Sequence, residues 1–324
     1  MRGSLPEGLC SGWWMVETRF MSDQREDLVG HRFDSVDFEQ VLDELRGPGT
    51  VEDEYWERIW ALQRRVGRGT FDRCVGLLNG PDGLDRRIGA DVLSQLGYRD
   101  DKPWADESIP HLLSRLEDST DEDALVGIAG AFQHLGYGDN EDHRRMALSR
   151  LRELCGHPDA DVRESVVSAL HAAVDGPDTL SLEAVLLLCE LTRDGARDVR
   201  DWATFWLMEL PEKGIDLPEV RAALWARITD KDQEIRVQAI NGLANHGDRD
   251  VLPYLLEELL DELVDDDALQ WLDTFEAATT LADPVLLPLL RRLLPIMKEE
   301  PWISECQAAI AACEAARPLG NREA

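Results

Sequence analysis

Asp161-Val162-Arg163 recurs as Asp198-Val199-Arg200 and again as Glu234-Ile235-Arg236. The first two arginines stand 37 residues apart and the last two 36. Each copy is followed by small and apolar residues at helical spacing: Val166, Ala169 and Leu170; Ala203, Trp206 and Leu207; Ala239, Ile240 and Leu243. A unit of this length cannot bury its apolar face alone, so a fixed period predicts helix pairs stacked on their neighbours. Architecture follows from this; function does not, because such arrays are scaffolds with interchangeable surfaces.

About six helix pairs can be laid out from these copies. The first begins near Gly80, with Arg86, Ala90, Leu93 and Leu96 on one helix and Ile109 to Leu116 on the next. The second begins near Thr120, the third at Pro158, the fourth at Gly195, the fifth at Lys231 and the sixth at Asp265. Asp161, Ser181 and Asp198 occupy N-cap or first-turn positions. Gly97, Gly136, Gly176, Gly195 and Gly247 fall at expected helix ends, where a left-handed residue is favoured. Leu96-Gly97-Tyr98 and Leu135-Gly136-Tyr137 repeat the period independently.

The flanks are atypical. Residues 1–20 read as an upstream leader, and Met21-Ser22-Asp23-Gln24 as an ordinary protein start. Residues 21–79 form an N-terminal helical cap, with one amphipathic helix carrying Phe38, Val41, Leu42 and Leu45 and an aromatic-rich one from Glu52 to Val66. The repeats occupy 80–302. A capping helix from Ile303 to Ala316 and a polar tail complete 303–324.

These residues resemble HEAT repeats of the bacterial HEAT-like class, the PBS-lyase type among them. That class has an apolar-apolar-Pro stretch on one helix, matched by Ser108-Ile109-Pro110, Val251-Leu252-Pro253 and Leu286-Leu287-Pro288. Its partner helix opens with Val-Arg, matched at Arg163, Arg200 and Arg236. The resemblance implies an all-α, right-handed α-α superhelix. It also implies a structural ladder in which an Asp six residues before each Arg stacks with it, here Asp194 before Arg200 and Asp230 before Arg236. The third unit departs from this, having His157 before Arg163. The second and sixth lack the Arg, with Leu125 and the neighbourhood of Leu269 instead. Members of the class include scaffolds, inhibitors, bilin lyases and DNA-repair enzymes, so the resemblance fixes no activity.

With 65 acidic against 34 basic residues the formal charge is -31. That field repels nucleic acid and anionic membrane and favours encounter with basic partners. The charge therefore argues against a HEAT-like DNA glycosylase, although Asp198, Trp202 and Trp206 lie at four-residue steps on one helix. No run of about 18 apolar residues is present to span a membrane. The six cysteines form no CxxC pair and sit in apolar contexts, which fits a reducing cytoplasm.

In the resembling family the Val-Arg helices line the concave face. Helical spacing after each Arg then predicts a solvent-side stripe. It comprises Glu164, Ser165, Ser168 and His171; Asp201, Trp202, Phe205 and Glu209; Val237, Gln238, Asn241 and Asn245. Trp202 and Phe205 on such a stripe are expected anchors for a bound peptide or planar ligand. The acidic run Asp265-Asp266-Asp267 lacks the glycine turn of a calcium loop, and the histidines show no metal-ligand spacing. Neither a metal nor a cofactor is expected. The leading expectation is a non-catalytic scaffold that holds a basic protein or peptide. The alternatives are a bilin-lyase-like or tailoring enzyme using Cys155 or Cys189, and an inhibitor or immunity-type protein that mimics a polyanion.

Overall fold

A computed structural model describes residues 37–47, 51–65, 67–97, 102–138, 140–174, 178–261, 271–297 and 302–316. The proposed leader, Tyr98, Gly176, Leu269 and the Asp265–Asp267 run lie outside the described residues. The described chain is all-α, with sixteen α-helices and four short 3-10 turns. Its contacts divide it into two units, one ending at Leu187 and the other beginning at Leu188.

In the first unit α1 (Phe38–Leu45) and α2 (Glu52–Gln63) precede three helix pairs: α3 (Arg68–Leu78) with α4 (Gly83–Ser94), α5 (Ala105–Asp118) with α6 (Glu122–Leu135), and α7 (Glu141–Leu154) with α8 (Ala160–Ala172). Helices α4, α6 and α8 pack side by side as one layer, and α3, α5 and α7 form the other. Helix α9 (Thr179–Leu191) crosses the division in the chain. The second unit repeats the two-layer plan. Helices α10 (Arg197–Met208), α12 (Gln233–Asn245), α14 (Trp271–Leu281) and α16 (Trp302–Ala315) lie side by side. The other layer contains α11 (Pro218–Trp225), α13 (Leu252–Asp261) and α15 (Leu287–Leu293).

The apolar positions following each repeated Arg explain the first layer. Val162, Val166, Ala169 and Leu170 are buried, as are Val199, Ala203 and Leu207, and Ile235, Ala239, Ile240 and Leu243. Trp206 is the exception in this set, being only half-buried. Where a pair lacks the Arg, Leu125 is instead fully packed. Small residues set how closely the layer packs. A Cβ at Gly127 of α6 would stand 2.8 Å from the Arg87 Cα of α4.

The expected helix starts hold. Asp161 and Asp198 are first-turn residues; the cap of α8 is Asp159, whose Oδ1 accepts from the Asp161 and Val162 N–H groups. Ser181 likewise sits inside α9, with Asp178 accepting from the Leu180 and Ser181 N–H groups. Helix α3 was not anticipated. Its two glycines, Gly69 and Gly76, and the Gly67 cap dilute the helical signal, yet Phe71, Cys74 and Leu78 bury one face.

Gly136 adopts φ +63°, a left-handed conformation that turns the chain off the end of α6. Tyr137 then folds back onto Phe132, with ring centroids 4.7 Å apart, and its hydroxyl donates to the Ala169 carbonyl on α8. At the first unit's other end, Tyr55 of α2 donates to buried Asp91 of α4 at 2.6 Å. Arg87 stands 3.7 Å from the same carboxylate. Burial outweighs these two partners and pushes Asp91 up to about 6.

Two predictions follow from this packing. Gly127→Ala must separate α4 and α6, and should lower urea-unfolding stability by about 1–3 kcal/mol. Asp91 binds its proton more tightly folded than unfolded, so its contribution is fully present below pH 3.8 and lost as pH rises through about 6. Asp91→Asn is neutral throughout. Its stability relative to wild type should therefore rise by about 2–3 kcal/mol from about pH 4 to about pH 7. A pH-independent difference would contradict the burial argument.

Candidate functional site

Each repeated arginine reaches back to a main-chain carbonyl six residues earlier. Arg163 donates to His157 O at 2.7 Å, Arg200 to Asp194 O at 3.0 Å, and Arg236 to Asp230 O at 3.1 Å. Arg86, in a pair without the Val-Arg motif, donates to Gly80 O at 2.7 Å. The departure at His157 is thereby explained: the acceptor is backbone, which any residue supplies.

The side-chain ladder lies in the second unit. Asp230 accepts from Arg200 Nε at 3.2 Å and from Arg227 Nη1 at 2.9 Å. Only 7% of the Arg200 side chain and 5% of the Asp230 side chain are exposed. Arg236 turns to Glu258 of α13 at 2.7 Å, an acid from the opposite layer. Asp194 caps its own turn, its Oδ1 accepting from the Ala196 N–H.

The expected solvent stripe is corrected on five residues. Asp201 (1% exposed), Phe205 (6%), Gln238 (4%) and Asn241 (0%) are buried, and Val237 with them. Helices α10, α12 and α14 lie directly beside one another, so the flanks of the predicted stripe face neighbouring helices and not solvent. Gln238 Nε2 donates to Asp201 Oδ1 at 2.9 Å, linking α12 to α10. Asn241 Nδ2 donates to Glu276 of α14 at 3.0 Å, and Thr280 donates to Asn245 at 3.3 Å. Ser168 and His171 are half-buried on α8 in the first unit.

What remains open on α10 is a narrower stripe. Asp198 is exposed, while Trp202, Trp206 and Glu209 are half-exposed at successive helical turns. Trp202 and Trp206 stack with centroids 6.1 Å apart and an interplanar angle of 24°. Phe205 meets both edge-on, at 5.8 Å and 4.7 Å. The three rings form a rigid platform with Phe205 as its buried support.

Beside the platform lies a charge centre that sequence reasoning missed. Arg197 donates to Asp232 at 2.9 Å, to Asp201 at 3.1 Å and to Asp198 at 3.2 Å, and also to Glu234. Burial opposes its charge, but the Asp232 hydrogen bond and the surrounding carboxylates outweigh it and raise its pKa. Asp232 and Glu234 follow Arg197 at 35 and 37 residues, so the repeat period carried the signal. The two candidate nucleophiles sit in different surroundings. Cys189 is buried, and desolvation pushes its thiol up to about 12; Cys155 is half-buried at a helix end.

Residues 184–272 match the family described as HEAT repeats. A stretch of 108 residues is 36% identical to Protein YibA of Escherichia coli K12, covering 33% of this chain and 35% of that protein. The alignment thus spans about a third of the curated relative's length. The X-ray structure of YibA from E. coli superposes with a TM-score of 0.62 at 20% identity, covering 90% of this chain and 97% of that one. A crystal structure of an engineered protein follows at 0.49 and 17% identity, covering 85% and 77%. The family match and the YibA superposition establish the helical-repeat fold. Among the described residues, no helix is long and apolar enough to cross a membrane.

The buried pair gives a sharp test. Asp230→Ala leaves Arg200 without its carboxylate in a desolvated position and should cost about 3–5 kcal/mol of unfolding free energy. Replacing both together with apolar residues, as Arg200→Met with Asp230→Ala, should recover part of that loss in the same urea titration.

Proposed function

We propose that this protein is a non-catalytic scaffold whose second unit holds a basic segment of a partner protein on the face of α10. The observation that carries this reading is the half-exposed Trp202–Trp206 stack supported by Phe205. Rigid aromatic surface with an apolar body is what dominates binding energy at interfaces. Exposed Asp198 lies on the same helix and half-exposed Glu209 at its C-cap, and a Lys or Arg laid over an indole face gains cation–π attraction. The net charge of -31 favours encounter with such a partner. The same charge supports a second reading, an inhibitor that mimics a polyanion, in which diffuse acidity and not the indole stack carries the affinity. Free thiols at the five described cysteines fit a cytoplasmic setting for either.

One experiment separates the two. The full chain serves as bait for native extract, and captured partners are then titrated against purified wild type and Trp202→Ala. The scaffold reading expects affinity to fall by about 30-fold or more in Trp202→Ala, with unchanged helical circular dichroism. Phe205 is left intact, because truncating a buried ring would itself cost about 3–5 kcal/mol of stability. Affinity that ignores Trp202 but collapses with salt would favour the polyanion mimic.

A further inference from the structure

A basic hollow of about 340 Å³ opens at the turns before α10 and α12, within the second unit. Arg193, Arg200, Arg227 and Lys231 line it with Thr229, against the two acids Asp194 and Asp230. Such an excess of cations stands out in a chain of formal charge -31.

Local pairing does not absorb the excess. Asp230 is already engaged on both oxygens: Oδ2 accepts from Arg200 Nε and Arg227 Nη1, and Oδ1 from the Asp232 N–H. Arg200 Nη1 donates to the Asp194 and Gly195 carbonyls while Nε holds Asp230, so the guanidinium forms a fixed floor. Asp194 is engaged by the Ala196 N–H. Arg227 retains a buried Nε–H with no acceptor. Arg193 and Lys231 are exposed and meet no carboxylate among the described residues. Unpaired guanidinium and ammonium donors around a preformed floor match a tetrahedral oxyanion, which offers more acceptor oxygens than a carboxylate.

We infer that this hollow binds a single phosphoryl group carried on the side chain of a partner protein. Arg193 and Lys231 supply charge, and the Thr229 hydroxyl and the rim of the Arg227 guanidinium supply further donors. Exposed Arg193, Thr229 and Lys231 leave the outer side open, so an ester substituent can project into solvent. A nucleic acid does not fit, since a run of phosphates must also lie along the acidic remainder of the surface, whereas one phosphoryl group meets only the local field. The site is separate from the Trp202 platform and stands or falls without it.

The test is amide NMR of the full chain, titrated at constant ionic strength with inorganic phosphate, O-phosphoserine and acetate. Saturable shifts confined to the turns at 191–195 and 226–231 are expected for both phosphoryl probes, half-saturating near the millimolar range, with acetate at least about ten-fold weaker. The surface double variant Arg193→Ala with Lys231→Ala should weaken phosphate by about ten-fold or more while leaving other resonances in place. Equal responses to acetate and phosphate, or a double variant that titrates like wild type, would overturn the site. Binding of inorganic phosphate with exclusion of O-phosphoserine would overturn the assignment to a phosphorylated side chain.

Discussion

The bond from an arginine in the first turn of a helix to the carbonyl six residues upstream organises this molecule. It closes the turn between one helix and the next and fixes where the new helix begins. The same bond occurs at Arg86, Arg163, Arg200 and Arg236. With the turn locked, the apolar residues behind the arginine face the neighbouring helix of the same layer. The guanidinium is left with spare donors, and the next repeat uses them: Asp230 for Arg200, Glu258 for Arg236. Since the acceptor upstream is backbone, Gly80, His157, Asp194 and Asp230 are all admissible there.

This explains why so much of the fold was legible. Period, helix pairs and core follow from spacing alone, because each repeat meets the same neighbours. What escaped notice had physical causes. Helix α3 carries two glycines behind a glycine cap, and its buried face is visible only once α4 is in place. The solvent stripe on α10 was misplaced by one notch of the helical wheel, since a single helix pattern does not tell which flank the neighbour covers. Phe205, expected at the surface, supports the platform from below, while Trp206, expected in the core, contributes its upper face. Gln238 and Asn241 look like surface amides in sequence and are instead rungs between helices.

Charge in the second unit is arranged and not merely abundant. One guanidinium, Arg197, gathers four carboxylates from two repeats, which concentrates acid beside the indole stack while keeping Asp201 paired in the interior. At the turns the balance reverses, and the cations exceed the acids that could neutralise them. Two surfaces of opposite electrostatic character thus arise from the same recurring turn, differing only in which side chains the repeat places around it.

The ties that join successive repeats are short in sequence. Arg197–Asp232, Arg200–Asp230, Tyr137–Ala169, Asp201–Gln238 and Asn241–Glu276 connect residues 30 to 37 apart. Loop-closure entropy for each is therefore modest, and no such bond waits for a distant part of the chain to arrive. During synthesis, a helix pair can dock as soon as the following one clears the ribosome, in the order in which the repeats are made.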